Sequence, residues 1–343
     1  MVDITYIYYD DKYVPKPFGV INTGSICWFN SAIQTLLSCS QFNYMMIEKE
    51  EKLKNNKLAI TYIEILKTLF NNEETNKPDQ DTISIKLLKS MISELKKQKR
   101  KSDLASFGQK DASEGIIMFI DLIDPVCEYG IFQLFLHRYE NTSICLNCKN
   151  ISYTNKTEPP NIPNDITFRS VINTEKEFIE NILTHWSPND GITCEKCGVK
   201  SDNSVVLYIL KMVREIIMII IRNTNEGSIN PKNMIKNEIS LDKFEYPYPE
   251  FIYMPSISNS KLKYKLVSVI EQFGGRQWNN SLNNRASSTS GGHYTATCYR
   301  DGKYWDLNDT MVNSSSFKHS KNAYVLMYCL TEQIKEEPED KKE

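Results

Sequence analysis

Apolar side chains recur at two periods along this chain, and the period changes near residue 130. Over residues 28–38, 57–70, 83–95 and 111–123 they fall three and four positions apart. In "KLAITYIEILKTLF" they are Leu58, Tyr62, Ile65, Leu66 and Leu69, one face of a helix. Asp111 and Glu114 have the N-cap and N3 spacing of a capping box at the start of the fourth run. From about 130, "FQLFLHRYENTSICLNCKNISYT" alternates, is rich in aromatic and β-branched residues and reads as strands. "TEKEFIENILTHW" (174–186) predicts a short helix within this β region, and 205–223 predicts two strands joined near Val213–Glu215. Residues 262–330 again read as strands, interrupted by a polar loop at 279–290. The charged tail 331–343 reads as disordered. Helices first and strands afterwards predict an α+β fold of two packed lobes with a cleft between them.

Charge and composition narrow the function. A net charge of −2 gives no electrostatic footing on nucleic acid. The apolar run Ile216–Ile221 suits a buried strand and is far too short to span a membrane. The N-terminus lacks the basic start and apolar core of a secretion signal. The expectation is an intracellular protein, cytoplasmic or nuclear, with neither nucleic acid nor membrane as partner, acting as a monomer. The basic run "KKQKRK" (96–101) reads as a solvated helix end or loop.

Among nine cysteines, two pairs have C-x-x-C spacing: Cys145/Cys148 and Cys194/Cys197. In a reducing compartment this favours a metal over disulfides. Four thiolates make one tetrahedral zinc site, structural because protein fills every position. Gly198 suits the tight turn after the second pair.

Cys27 follows a Gly-Ser turn and precedes an amphipathic run. A helix N-terminus there would favour its thiolate, although free cysteines are often simply buried. A nucleophilic thiol needs a base. Of His137, His185, His293 and His319, the third follows Gly291-Gly292 and opens a strand that runs into the Asp-Gly turn at 301–302. Counting back from Arg300 opposite Lys303 puts Thr295 opposite Asn308, a diagonal neighbour of His293 on one face. Asn308 is then placed to orient the imidazole, with Asp309 as second choice. Asn22 could supply a side-chain N–H to an oxyanion hole beside the Cys27 N–H, or be an ordinary turn asparagine.

"FGVINTGSICWFNSAIQTL" (18–36) and "GGHYTATCYRDGKYWDLNDTMV" (291–312) resemble the cysteine and histidine boxes of the ubiquitin-specific protease family. "QKDASEGIIMFIDLI" (109–123), "YKLVSVIEQFGG" (264–275) and "AYVLMY" (323–328) resemble further family segments, in the family's order. The resemblance implies a papain-like right hand: helical thumb (about 25–125), zinc-tipped fingers (about 130–205) and palm strands (about 205–225 and 262–330). Residues 1–17 would be an N-terminal extension to a catalytic domain at 18–330. It also implies Cys27 as nucleophile, His293 as general acid/base, Asn308 as its orienting partner and Asn22 as oxyanion donor. Asp309 would be a second acidic position beside the triad, and Gly291 and Gly292 would line the channel for a Gly-Gly substrate tail. The implied activity is hydrolysis of the bond after ubiquitin's C-terminal glycine, with ubiquitin and ubiquitinated proteins as partners. A ubiquitin-binding scaffold without activity and a protease for another ubiquitin-like modifier are the alternatives. Ser25, Ile26, Trp28, Phe29, Lys110, Gly115, Glu215 and Asn223 depart from the family's usual residues.

Overall fold

The amphipathic runs of the first third fold as α1 (Cys27–Leu37), α2 (Ser40–Glu48), α3 (Glu50–Leu53), α4 (Lys57–Phe70), α5 (Ile83–Lys97) and α6 (Ala112–Ile123). The structure, a computed structural model, describes residues 5–71, 82–100, 102, 104, 108–125, 128–145, 147–153, 167–168, 174–188, 193–199, 204–223, 247–256, 260–274 and 292–335. Asp111 caps α6 through Oδ1, which accepts from the N–H groups of Ser113 and Glu114. Every residue of α1 is buried, so it is a central helix with no solvent face.

The strands after residue 130 are β1 (His137–Cys145), β2 (Ile151–Tyr153), β3 (Thr167–Phe168), then α7 (Glu175–Leu183), β4 (Thr184–Pro188), β5 (Ser204–Val213), β6 (Ile216–Ile220) and β7 (Arg222–Asn223). They continue as β8 (Phe251–Pro255), β9 (Ser260–Phe273), β10 (His293–Arg300), β11 (Lys303–Asn308), β12 (Met311–Ser315) and β13 (Ala323–Lys335). The large sheet runs β12-β11-β10-β9-β13-β6, with β8 also on β9; a smaller one runs β2-β1-β5-β4, and β3 pairs with β7. Alternate residues of β6 enter different cores. Ile216, Met218 and Ile220 join the helical lobe, while Ile217 and Ile219 join the core on the opposite face. A strand covered on both faces reads as a continuous apolar run.

Three expectations need correction. The helix predicted to 186 stops at Leu183, where Thr184 turns extended (φ −148°) and starts β4 against β5. The stretch from 205, assigned to the palm, begins with β5, which pairs with β1 and β4 in the smaller sheet; only β6 joins the large one. The first error comes from local pattern and the second from a boundary implied by the resemblance, and neither carries partner information. Residues 331–335, assigned to the tail, continue β13 along β9, with Glu332 paired to Lys263 at 2.6 Å. Their charges sit on a solvated strand, and composition does not register the backbone ladder. The N-terminal extension is packed where described: Tyr9 N–H donates to Leu330 O (2.7 Å), Asp10 N–H to Ser40 Oγ (3.0 Å), and Asn43 Nδ2 to Tyr13 O (2.7 Å). It thereby straps α2 to β13. The polar loop 279–290 and residues 336–343 lie outside the described residues.

Two departures from the family pattern answer each other across the α1–α6 contact. Trp28 is fully buried, and its Nε1 donates to Gly108 O at 2.7 Å. A Cβ on Gly115 would lie 2.7 Å from Cζ3 of that ring. The large indole therefore requires a residue without Cβ on α6. Gly115→Ala should lower stability by about 1–3 kcal/mol through overpacking, although alanine in a helix interior ordinarily gains about 1 kcal/mol over glycine. Denaturant unfolding checks the sign: an alanine variant more stable than wild type would contradict this packing.

Candidate active site

The turn before α1 takes two consecutive left-handed residues, Gly24 (φ +68°) and Ser25 (φ +64°). Asparagine, usual in the family at the second, tolerates that conformation better than serine. The turn delivers Cys27 as the first residue of α1, 1% exposed. No side chain caps this helix start, so its first N–H groups and the positive end of the dipole face the site. The thiol lies against the side-chain amide of Gln109, with Nε2 at 3.7 Å and Oε1 at 3.9 Å. Gln109 Nε2 also donates to Gly292 O at 2.9 Å, linking the segment before α6 to the residue before His293.

The Asp301-Gly302 turn has both residues at positive φ (+51° and +76°), as a two-residue hairpin of primed type requires. Its register pairs Arg300 with Lys303 and Ala296 with Leu307. Asn308 thereby falls diagonal to His293, and its Oδ1 lies 2.7 Å from His293 Nε2. An amide oxygen accepts, so Nε2 carries the proton and Nδ1 is left as the basic nitrogen. Among the described residues no hydrogen bond joins the thiol to His293; the thiol's contacts are with Gln109.

Asp309 sits in the turn after Asn308 at φ +52°. Its Oδ2 accepts from Asn22 Nδ2 (3.0 Å), its Oδ1 from Asn30 Nδ2 (2.7 Å), and its backbone O from Val20 N–H (2.9 Å). Asn22 Oδ1 accepts from Ile26 N–H at 2.9 Å. Cys27 and Asn22 thus come from one side of the site, and His293, Asn308 and Asp309 from the other, with Gln109 and Asn30 spanning them. Sequence reasoning did not single out those two bridging side chains. Gln109 stood in a motif and Asn30 in a box, but nothing local says what either would meet. Gly292 is half-buried and Gly291 lies outside the described residues.

The four predicted metal ligands come together at the end of the smaller sheet. Their sulfurs lie within 4.8 Å of one another, with Cys145–Cys197 and Cys148–Cys194 each at 3.7 Å. Tetrahedral zinc–thiolate bonds of 2.3 Å place sulfurs about 3.8 Å apart, so the set fits a metal ion. Two turns of the same construction hold it. Lys149 N–H donates to Cys145 O (2.8 Å) with Lys149 at φ +58°, and Gly198 N–H to Cys194 O (2.8 Å) with Gly198 at φ +68°. The backbone N–H of Val199 and the Asn147 amide pull the Cys197 thiol down to about 6. Although the Asn150 N–H lowers it, burial and the neighbouring sulfurs push the Cys148 thiol up to about 11. Four adjacent thiols cannot all ionise unaided, and a bound dication removes that conflict.

A family model described as ubiquitin carboxyl-terminal hydrolase matches residues 18–328. Ubiquitin carboxyl-terminal hydrolase 17-like protein B of Mus musculus is 22% identical over 335 residues, 92% of this chain; the match spans 64% of that relative's length. Among solved structures, a chain of a SAGA DUB module (Ubp8/Sgf11/Sus1/Sgf73) bound to monoubiquitin superposes with a TM-score of 0.64 at 18% identity, over 96% of this chain and 72% of that one. The same module bound to ubiquitin aldehyde gives the same values. A yeast SAGA DUB module gives a TM-score of 0.60 at 16% identity, over 96% and 71%. At such identities these structures speak for the fold, which is of the ubiquitin-specific protease type, while the family model reaches through every segment that carries the site: this chain belongs to the ubiquitin carboxyl-terminal hydrolase family.

Proposed function

We propose that this protein is a cysteine-type deubiquitinase that cleaves the isopeptide or peptide bond after the C-terminal glycine of ubiquitin. The observation that carries the reading is the His293–Asn308 pair at 2.7 Å, joined through Gly292 and Gln109 to Cys27 at a helix N-terminus. His293 Nδ1 takes the thiol proton, and Cys27 Sγ attacks the glycine carbonyl. The Cys27 N–H and an Asn22 amide hydrogen hold the oxyanion. On collapse the C–N bond breaks, the lysine or N-terminal amine leaves with the proton from His293, and a thioester remains. Water, deprotonated by His293, hydrolyses the thioester and frees the thiol. Gly291 and Gly292 leave room for the substrate's Gly-Gly tail. In support, neither a positive φ nor a hard clash demands glycine at 292, where a Cβ would meet Gly274 O at 3.4 Å.

Cys145, Cys148, Cys194 and Cys197 would hold one structural zinc ion, which supplies a crosslink and no chemistry in the cleft. The chain acts as a monomer in the cytoplasm or nucleus; its eight described cysteines are free thiols, in keeping with a reducing compartment. Ubiquitin carrying an electrophilic C-terminus tests the proposal. Wild type should gain the mass of one ubiquitin and Cys27→Ala should not. No adduct on the folded wild type would overturn the activity, and an adduct only with another ubiquitin-like modifier would reassign the substrate.

A further inference from the structure

Asn30 lies one turn into α1 and is 2% exposed. Its Nδ2 donates to Asp309 Oδ1 at 2.7 Å and more weakly to Ile21 O at 3.4 Å. Its Oδ1 has no hydrogen-bond partner among the described residues. The amide cannot be reversed to relieve this, because its oxygen would then face a carboxylate. A buried acceptor without a partner costs stability, and an apolar residue of similar size would avoid that cost. Asn30 is therefore a poor choice for holding a helix in a core and a good one for holding Asp309.

Asp309 in turn holds Asn22. One carboxylate oxygen is taken by Asn30 and the other by Asn22, whose own oxygen is fixed by Ile26 N–H. An amide group is planar, so two anchored atoms set the direction of its remaining Nδ2 hydrogen. We infer that Asn30 is a positioning residue for hydrolysis: through Asp309 it fixes the carboxamide plane of Asn22, keeping the second Asn22 N–H directed at the developing oxyanion. This rests on the reading of Asn22 as oxyanion donor in the proposed deubiquitinase.

Two readouts on the full chain test it. The first needs no activity. The Asn22 side-chain amide is followed by NMR in asparagine-labelled protein, its signal assigned by its loss in Asn22→Ala. In Asn30→Ala that signal should shift and exchange with solvent about tenfold faster. Unchanged shift and exchange would overturn the inference. The second is turnover of ubiquitin bearing a fluorogenic C-terminal amide. Asn30→Ala should lower kcat about tenfold with KM within about twofold, since an oxyanion contact exists only in the transition state. In an Asn22→Ala background the same change should cost less than about twofold. A full multiplicative loss in that background, or a loss in KM alone, would mean that Asn30 merely fastens α1. Where alanine impairs folding, Asn30→Asp, which keeps the packing and sets like charges together, should itself give the shifted, faster-exchanging Asn22 signal and the lower kcat. If wild type turns over no ubiquitin substrate, the deubiquitinase reading fails while the Asn22 exchange still decides for or against Asn30.

Discussion

Asp309→Ala should lower kcat by about 10²–10³-fold, the range for loss of an oxyanion donor, and more than Asn308→Ala. The reason lies in what each side chain holds. Asn308 makes a single hydrogen bond, to His293, whose ring is charged only while it holds the thiol proton. The Asp309 carboxylate joins two segments, the turn carrying Asn22 and helix α1 through Asn30, while its backbone O separately accepts from Val20 N–H. Hydrogen bonds to a charged group are stronger, at about 1.5–3 kcal/mol, and here two converge on one carboxylate. Alanine at φ +52° also adds about 1–2 kcal/mol of backbone strain. Asp309→Gly separates these effects, because glycine accepts the conformation and still lacks the carboxylate. Equal losses for Gly and Ala assign the effect to the carboxylate. A larger loss for Asn308→Ala than for Asp309→Gly would contradict this ranking. Steady-state kinetics on a ubiquitin amide, with circular dichroism to establish folding, makes the comparison.

The second large effect concerns the four-cysteine site. Its cysteines cap the end of β1 and the segment before β5, and among them only Cys145 is buried. The described apolar residues near this sheet, including Phe178, Ile182, Leu210 and Val213, join the core at its other end. Among the described residues no hydrophobic cluster reaches the tip, and a metal would supply the closure. Small zinc sites bind with apparent free energies of roughly 10 kcal/mol or more at neutral pH, and that binding is folding energy. Cys197→Ser should reduce bound zinc from about one ion per chain to near none, measured by elemental analysis. Hydrogen exchange should rise throughout β1, β2 and β5 to the level of local unfolding, with α1 and the β9–β13 pairing protected as before. Alkylation of Cys27 by a small electrophile should be unchanged, because its thiol rests against Gln109 while the tip's sulfurs contact one another. A wild-type chain purified without metal and with full protection at the tip would refute the zinc assignment.

Read alone, the chain determined its helices, its hairpin and its chemistry wherever a short-range rule applied. The 3.6-residue period marks α4 and α5 because a buried helix face repeats at that spacing. The Asp301-Gly302 turn sets the pairing of β10 with β11, so the diagonal contact of Asn308 with His293 follows from two residues and a count. The C-x-x-C spacing marked both metal turns because each is built within six residues of chain. Other features depended on partners far away in sequence. Asn30 meets Asp309 across 279 positions and Gln109 meets Gly292 across 183; no local pattern says which way either amide points. Trp28 and Gly115 read as separate departures from a family pattern until packing set one against the other. β4 lies on a run that propensity extends as a helix, and 331–335 on a run that composition assigns to a tail. In both, a neighbouring strand supplied the hydrogen bonds that decided the backbone. Local propensities are worth tenths of a kcal/mol per residue, so a strand ladder or a well-packed ring can override them, and which one is available is settled only when the chain closes on itself.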